Sequence, residues 1–298
     1  MSIKVNNVSY TYLAKTPNSV KALDNINLEI KSGKVTAIIG HTGSGKSTLI
    51  QMFNALLLPS EGTIDVDGFI IGNKERKNKD IKKLRRHVAT VFQFPEAQLF
   101  EETVEDDVAF GLKNYGIKED IALRKAHEAL KLVGIDESFY KRSPFDLSGG
   151  EKRRVAIAGI LVLEPDILIL DEPTAGLDPE GTQIIIDLIK TLNGNGKTII
   201  LVSHNMDIVL GVAHDVIVLN DGKFVYQGTP QELFAMDQAI LNFEIPTLYK
   251  FAQDLVKKGI KIDIKKIYDI KSLFNQIEGK GDEWYNIWSL YFLQYFNS

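Results

Sequence analysis

The sequence predicts an α/β fold built on a parallel sheet that carries a phosphate-binding loop. Three observations lead there. "DILILDEP" and "KTIILVSH" are continuously apolar, as strands buried on both faces are. A helical stretch, "EGTQIIIDLIKTL", lies between them and makes a βαβ unit. "VTAIIGHTGSGKSTL" sets a full G-x-x-x-x-G-K-[ST] between an apolar strand and a helix.

The elements follow in order. Up to about residue 70, β-rich runs ("IKVNNVSYTY", "VKALDNINLEI", "VTAIIG", "GTIDVDG") alternate with tight turns at 31–33 and 66–68. A helix is expected over 46–57, with Pro59 and Gly62 closing the region. The basic run "NKERKNKDIKKLRR" (73–86) is interrupted by Glu75 and Asp80 and reads as a solvated loop and helix face. "VATVFQF" (88–94) reads as a strand ending at Gln93, and 103–147 carries the 3.6-residue apolar rhythm of helices. "VIVLNDGKFVYQG" (216–228) reads as a hairpin turned at Asn220-Asp221-Gly222.

From about residue 230 the composition shifts to "QELFA", "PTLYKFAQDLVKKG" and "IKSLFNQIEGK", which read as helices of a second, smaller domain. In the aromatic end, Trp284, Trp288, Tyr291 or Phe292, and Tyr295 share one helical face. That face reads as the core of the C-terminal domain or a dimer contact. Contact with a membrane protein or the membrane surface, and disorder, are the alternatives.

The 298 residues are 44% hydrophobic and 25% charged with a formal net charge of −4, which is ordinary for a globular protein and argues against a nucleic-acid binder. Without cysteine there is no disulfide, thiolate metal site or cysteine nucleophile. The start, "MSIKVNNVSYTY", has no apolar h-region, so no secretory signal is expected. Apolar runs such as "ILIL" and "TIILV" are strand length, short of the roughly 20 residues that span a membrane.

The chemistry sits in the motifs. Across Gly40, His41, Thr42, Gly43, Ser44, Gly45, Lys46, Ser47 and Thr48, glycines let the backbone curl its N–H groups toward phosphate oxygens at a helix N-terminus. Lys46 is expected on the β- and γ-phosphates, and the Ser47 hydroxyl on Mg²⁺. Asp171 ends a buried strand and suits the metal; Glu172 beside it suits polarisation of an attacking water. Parallel strands deliver their C-terminal ends to one edge, where open α/β sheets bind ligands. That edge gathers His204, Gln93, Asp171 and Gly40, so His204 is expected on the γ-phosphate.

A second glycine-serine motif, "DLSGGEKRRVAIAG" (146–159), lies about a hundred residues further on. Leu147, Ser148, Gly149, Gly150 and Glu151 precede a helix and form another anion-binding start. The helical segment between the motifs would hold the second away from the first. A second cradle of this kind makes sense if it closes over another subunit's nucleotide.

The order glycine loop, glutamine loop, "LSGG", "LILDEP", "AGLD" and histidine resembles the ATP-binding-cassette (ABC) ATPases over about residues 1–230. The resemblance implies a P-loop NTPase with a RecA-like core, an antiparallel β subdomain and an α-helical signature subdomain (about 95–160), in a nucleotide-binding domain over 1–230. A mostly helical C-terminal extension over 231–298 would follow, as a dimer contact. By the same resemblance Tyr12, or Tyr10 in its place, stacks on adenine. Ser148 and Gly150 touch the γ-phosphate across a head-to-tail dimer, Gln93 helps Asp171 hold Mg²⁺, and Asp178 couples the two sites. Glu151 departs from the family's usual glutamine.

"IIGHTGSGKSTL", "VFQFPEAQLFEETVEDDVAFG" and "RRVAIAGIL" resemble, more narrowly, the ATPases of energy-coupling factor (ECF) transporters, and among them the EcfA2 or CbiO type. This implies a peripheral protein on the cytoplasmic face of the membrane, driving uptake of vitamins or metal ions. Its implied partners are a paralogous ATPase, an EcfT-type transmembrane protein and small substrate-binding S components, with no nucleic acid. A complete motif set leaves a homodimer open beside the heterodimer. Phe94, Pro95, Leu99 and Phe100 are expected to be exposed and either to line a groove for the transmembrane protein or to pack between subdomains. The ATPase of an ordinary ABC importer or exporter is the nearer alternative. A soluble repair or ribosomal cassette is the remoter one, since no heptad insertion or second cassette is present.

Overall fold

The computed structural model describes residues 2–73, 78–236 and 244–277, so the aromatic face at Trp284 to Tyr295 lies outside the described residues. In chain order it runs β1 (Ser2–Tyr12), β2 (Val20–Lys31), β3 (Val35–Ile39), α1 (Lys46–Phe53), β4 (Glu61–Val66), β5 (Phe69–Ile71), α2 (Asn78–His87) and β6 (Val88–Val91). Helices α3 (Val104–Asn114), α4 (Glu119–Leu132) and α5 (Gly149–Leu161) follow, then β7 (Ile167–Asp171), α6 (Pro179–Gly194), β8 (Thr198–Val202) and α7 (Met206–Val212). The chain continues through β9 (Asp215–Asn220), β10 (Lys223–Gly228), α8 (Pro230–Phe234), α9 (Thr247–Lys257) and α10 (Ile270–Asn275).

Two sheets result. An antiparallel sheet runs β2-β1-β4-β5, and a second of order β10-β9-β3-β8-β7-β6 is parallel from β9 to β6. The apolar runs are continuous because both faces of this second sheet are covered. Leu168, Leu170, Ile199 and Leu201 pack against α3, α4 and α5, whereas Ile167, Ile169, Ile200 and Val202 face α1 and the antiparallel sheet. Further along, Ala37, Ile39, Val216 and Val218 form a third core with α7, α8 and α9.

The β9–β10 hairpin turns at Asp221 and Gly222, with φ of +47° and +73°, as a tight two-residue turn requires. Two boundaries differ from expectation. α1 stops at Phe53 rather than 57, because Asn54 turns inward to bond Thr90 Oγ1 at 2.8 Å and Ala55 takes φ +55°. β6 stops at Val91, and Phe94 sits at φ +57° ahead of a 3₁₀ turn at Pro95–Gln98.

The C-terminal helices are seated on the core. Tyr249 is fully buried and donates to Ile267 O at 3.0 Å. At the start of α9, Thr247 donates its backbone N–H and its hydroxyl to the two Asp207 carboxylate oxygens, each at 2.8 Å. Asp207 lies three residues after His204, which ties the extension to the sheet edge that carries the candidate site.

Candidate functional site

Adjacent strands β3, β8, β7 and β6 end on one edge, and the loops that leave them carry Gly40, His204, Glu172 and Gln93 in turn. Between β3 and α1 the glycine loop folds tightly. A Cβ at Gly40 would sit 2.2 Å from Leu219 O, and one at Gly45 2.7 Å from Ala22 O, so no other residue fits those positions without displacing backbone. Lys46 opens α1 and donates to Gly40 O at 2.7 Å and His41 O at 3.0 Å, arching over its own loop. Ser44 Oγ is buried without a hydrogen-bond partner.

Gly40, His41, Thr42 and Lys46 line a cavity of about 510 Å³ together with Glu172, His204, Met206 and Glu244. Glu172 takes φ +51° directly after β7, which turns its carboxylate toward His204; His204 Nδ1 lies 2.8 Å from Glu172 Oε1. A carboxylate only accepts, so with Glu172 ionised the hydrogen bond is donated by Nδ1–H. Glu172 is largely shielded and the histidine ring mostly exposed, so the pair joins a shielded carboxyl group to a solvent-side imidazole.

Asp171, at the last position of β7, is buried. Burial and then the neighbouring Glu172 push its carboxyl up to about 6, and Lys46 opposes them only in part. Lys46 is itself lowered by burial, against the pull of Glu172 and Asp171. Two adjacent carboxylates thus share one partly desolvated ammonium, an arrangement short of positive charge. A hydrated Mg²⁺ bound beside Asp171 and the Ser47 hydroxyl would correct it. Among the described residues no three acidic or histidine side chains could hold a metal unaided.

Other expected contacts lie near this cavity without lining it. Tyr12, at the end of β1, is 39% exposed and bonds Thr48 Oγ1 through its hydroxyl at 3.1 Å, with Tyr10 edge-on at 4.8 Å. Gln93 is exposed two residues beyond β6.

The second glycine motif forms its own cavity, about 530 Å³, lined by Ser148, Gly149, Gly150, Glu151, Arg154 and Asp178 among others. No residue lines both cavities. Ser148 caps α5: its Oγ accepts from Glu151 N at 3.3 Å, while Glu151 Oε2 accepts from Ser148 N at 2.8 Å and from its hydroxyl at 2.7 Å. These bonds to Ser148 hold the Glu151 carboxyl below its usual range. Asp178 caps α6 in the same cavity, accepting from Gly181 N at 2.7 Å.

Several site residues were missed by sequence reasoning. Met206 and Glu244 line the first cavity, and Arg154 the second. Met206 and Arg154 flank recognised motifs, whereas Glu244 arrives from the C-terminal extension with no local signal. Of the four residues expected to be exposed after Gln93, Phe94 and Phe100 are 54% and 55% exposed, but Leu99 and Pro95 are buried. The segment alternates: two rings face outward while their neighbours pack inward.

Comparison with known proteins agrees with this architecture. The ABC transporter family model matches residues 23–175. The energy-coupling factor transporter ATP-binding protein EcfA2 of Streptococcus pyogenes serotype M5 (strain Manfredo) is 51% identical over 264 residues, 88% of this chain and 94% of that protein. CbiO1 from Clostridium perfringens, part of the ABC transporter complex CbiONQ, superposes with a TM-score of 0.71 at 41% identity, covering 86% of this chain and 96% of that one. The dimeric ATP-binding cassette MJ0796, in a post-hydrolysis state bound to ADP and Pi, gives 0.69 at 32% identity over 76% of this chain and 98% of that one. The chain belongs to the ABC transporter family of ATPases, in the branch of the energy-coupling factor ATP-binding proteins.

Proposed function

We propose that this chain hydrolyses ATP as one half of a head-to-tail pair of cassettes that powers uptake of a vitamin or metal ion, seated on the cytoplasmic face of the membrane. The observation that carries the reading is the separation of two half-sites. One cavity has Lys46, Glu172 and His204 but no second wall of donors; the other has Ser148, Gly150 and Asp178 but no lysine and no histidine. Each supplies what the other lacks, and stacking two cassettes in opposite directions joins them.

In that pair the glycine loop and Lys46 bind the triphosphate, with adenine on Tyr12. Asp171, Ser47 and Gln93 would hold Mg²⁺, which supplies charge neutralisation across the β- and γ-phosphates. His204 orients the γ-phosphate, and Glu172 accepts a hydrogen bond from water lined up for in-line attack. Ser148 and Gly150 of the facing cassette close over the same phosphate, and Asp178 lies at the seam between the two sites. Among the described residues no helix is long and apolar enough to cross a membrane. An EcfT-type membrane protein, S components and a paralogous ATPase are the partners in this reading. The outward rings Phe94 and Phe100 offer the membrane protein an apolar contact.

Tagging the chain in its own host, solubilising the membranes and identifying what co-purifies tests this. A second cassette, one T-type membrane protein and several small membrane proteins are expected. A single dedicated permease would mean an ordinary ABC transporter, and ribosomes or DNA with no membrane protein would overturn the transport reading.

A further inference from the structure

We propose that Arg153 is a positioning residue that locks the catalytic loop of Glu172 to the surface segment after Gln93. The inference rests on the site reading above and adds a residue to it. Arg153 projects from α5, one turn beyond Ser148, and is 3% exposed. Its guanidinium forks onto Glu96, with Nε to Oε2 at 3.1 Å and Nη2 to Oε1 at 3.0 Å. The remaining arm, Nη1, donates to Ala175 O. Ala175 in turn donates its N–H to Glu172 O at 3.3 Å. On the outer side the same guanidinium lies 5.6 Å from the centre of the Phe94 ring, over its face.

One buried cation thus joins three loops: the exposed segment at Phe94 and Glu96, the second glycine motif on α5, and the turn from Glu172 toward Asp178. A bidentate arginine–carboxylate pair has a defined geometry, so movement of Glu96 is transmitted to Arg153 rather than absorbed. From Arg153 the route to the backbone of the candidate base passes through a single residue. Lysine keeps the charge but cannot form the fork and reach Ala175 at once. Glu96→Gln keeps the shape and removes the charge.

The test uses the assembly purified through a tag on this chain, comparing Arg153→Lys, Glu96→Gln and the double variant in steady-state ATP hydrolysis and thermal melting. Arg153→Lys is expected to lower kcat about tenfold, as a small misplacement of a catalytic group does. KM for ATP should stay within about twofold, because the glycine loop is untouched. Glu96→Gln should fall less, and the double variant no further than Arg153→Lys alone, since both break one connection. A purely structural role predicts instead a lower melting temperature and yield with kcat unchanged per folded molecule. That result, or additive losses in the double variant, overturns the proposal. A Glu172→Gln control that turns over at the parent rate would remove the site reading itself, which keeps the two failures distinct.

Discussion

The two glycine-serine motifs are built alike and left in opposite states. Each sets a serine and glycines at the start of a helix, where backbone N–H groups face outward. The first leaves its polar groups unsatisfied or self-occupied: Ser44 Oγ has no partner, and Lys46 bonds the carbonyls of its own loop. In the second, Glu151 takes both the N–H and the hydroxyl of Ser148, and the orphan lies a turn further along α5, at Arg154 Nε. The difference teaches a division of labour. On the proposed reading, the loop that holds nucleotide in a lone cassette spends its lysine only on its own carbonyls, whereas a motif that would meet nucleotide only on assembly is stable before its partner arrives.

Breaking the catalytic pair should have the largest effect. Glu172→Gln preserves shape and removes the base, so turnover should fall about 10²–10⁴-fold while ATP binding persists. Hydrolysis near the parent rate, measured as phosphate release, would sink the assignment. Next comes the first motif. Lys46→Ala removes the charged donor from the loop, and affinity for ATP in the isolated chain should fall roughly 10–100-fold by titration calorimetry. The matching change in the second motif separates the two: Ser148→Ala should leave ATP affinity of the isolated chain unchanged and lower hydrolysis by the assembly about tenfold. Because the serine is also a helix cap, its loss should lower stability by about 1 kcal/mol. Weaker ATP binding by the isolated Ser148→Ala chain would mean that both motifs serve one nucleotide in cis.

Much of this was legible because the constraints are local. Continuous apolarity marked the doubly covered strands, and Asp221-Gly222 marked a turn that needs two positive φ values. The convergence of strand ends follows from parallel order alone, which gathers Gly40, Gln93, Asp171 and His204 at one edge. What stayed hidden depends on partners distant in sequence. α1 ends early because Asn54 reaches Thr90, and Arg153 finds Glu96 across 57 positions. Glu244 enters the first cavity from the segment ahead of α9, whose packing no motif announces. The buried halves of the segment after Gln93, Pro95 and Leu99, follow from a 3₁₀ turn that an apolar run does not reveal.

The smallest effect sharpens the comparison at the level of single charges. Asp171 and Glu105 are both buried acids, yet they titrate in opposite directions. At Glu105 burial raises the carboxyl, but Lys141 and His127, the latter at 2.8 Å, outweigh it and hold the group low. Asp171 has no hydrogen bond from its side chain among the described residues, and burial with Glu172 nearby raises it to about 6. An acid raised in the fold binds its proton more tightly there than in the unfolded chain, so its contribution to stability falls as pH rises from about 4 to about 6. The difference is worth on the order of 3 kcal/mol. Asp171→Asn should therefore melt above the parent at pH 8 in the nucleotide-free chain with EDTA, with the gap closing by about pH 4, while ATP–Mg²⁺ binding weakens. Glu105→Gln should behave oppositely, melting below the parent at pH 8 and approaching it on acidification, because a lowered acid stabilises only above its unfolded pKa. If Asp171→Asn melts lower at pH 8, Asp171 is a satisfied structural acid, and the strain that a bound cation would relieve is not there.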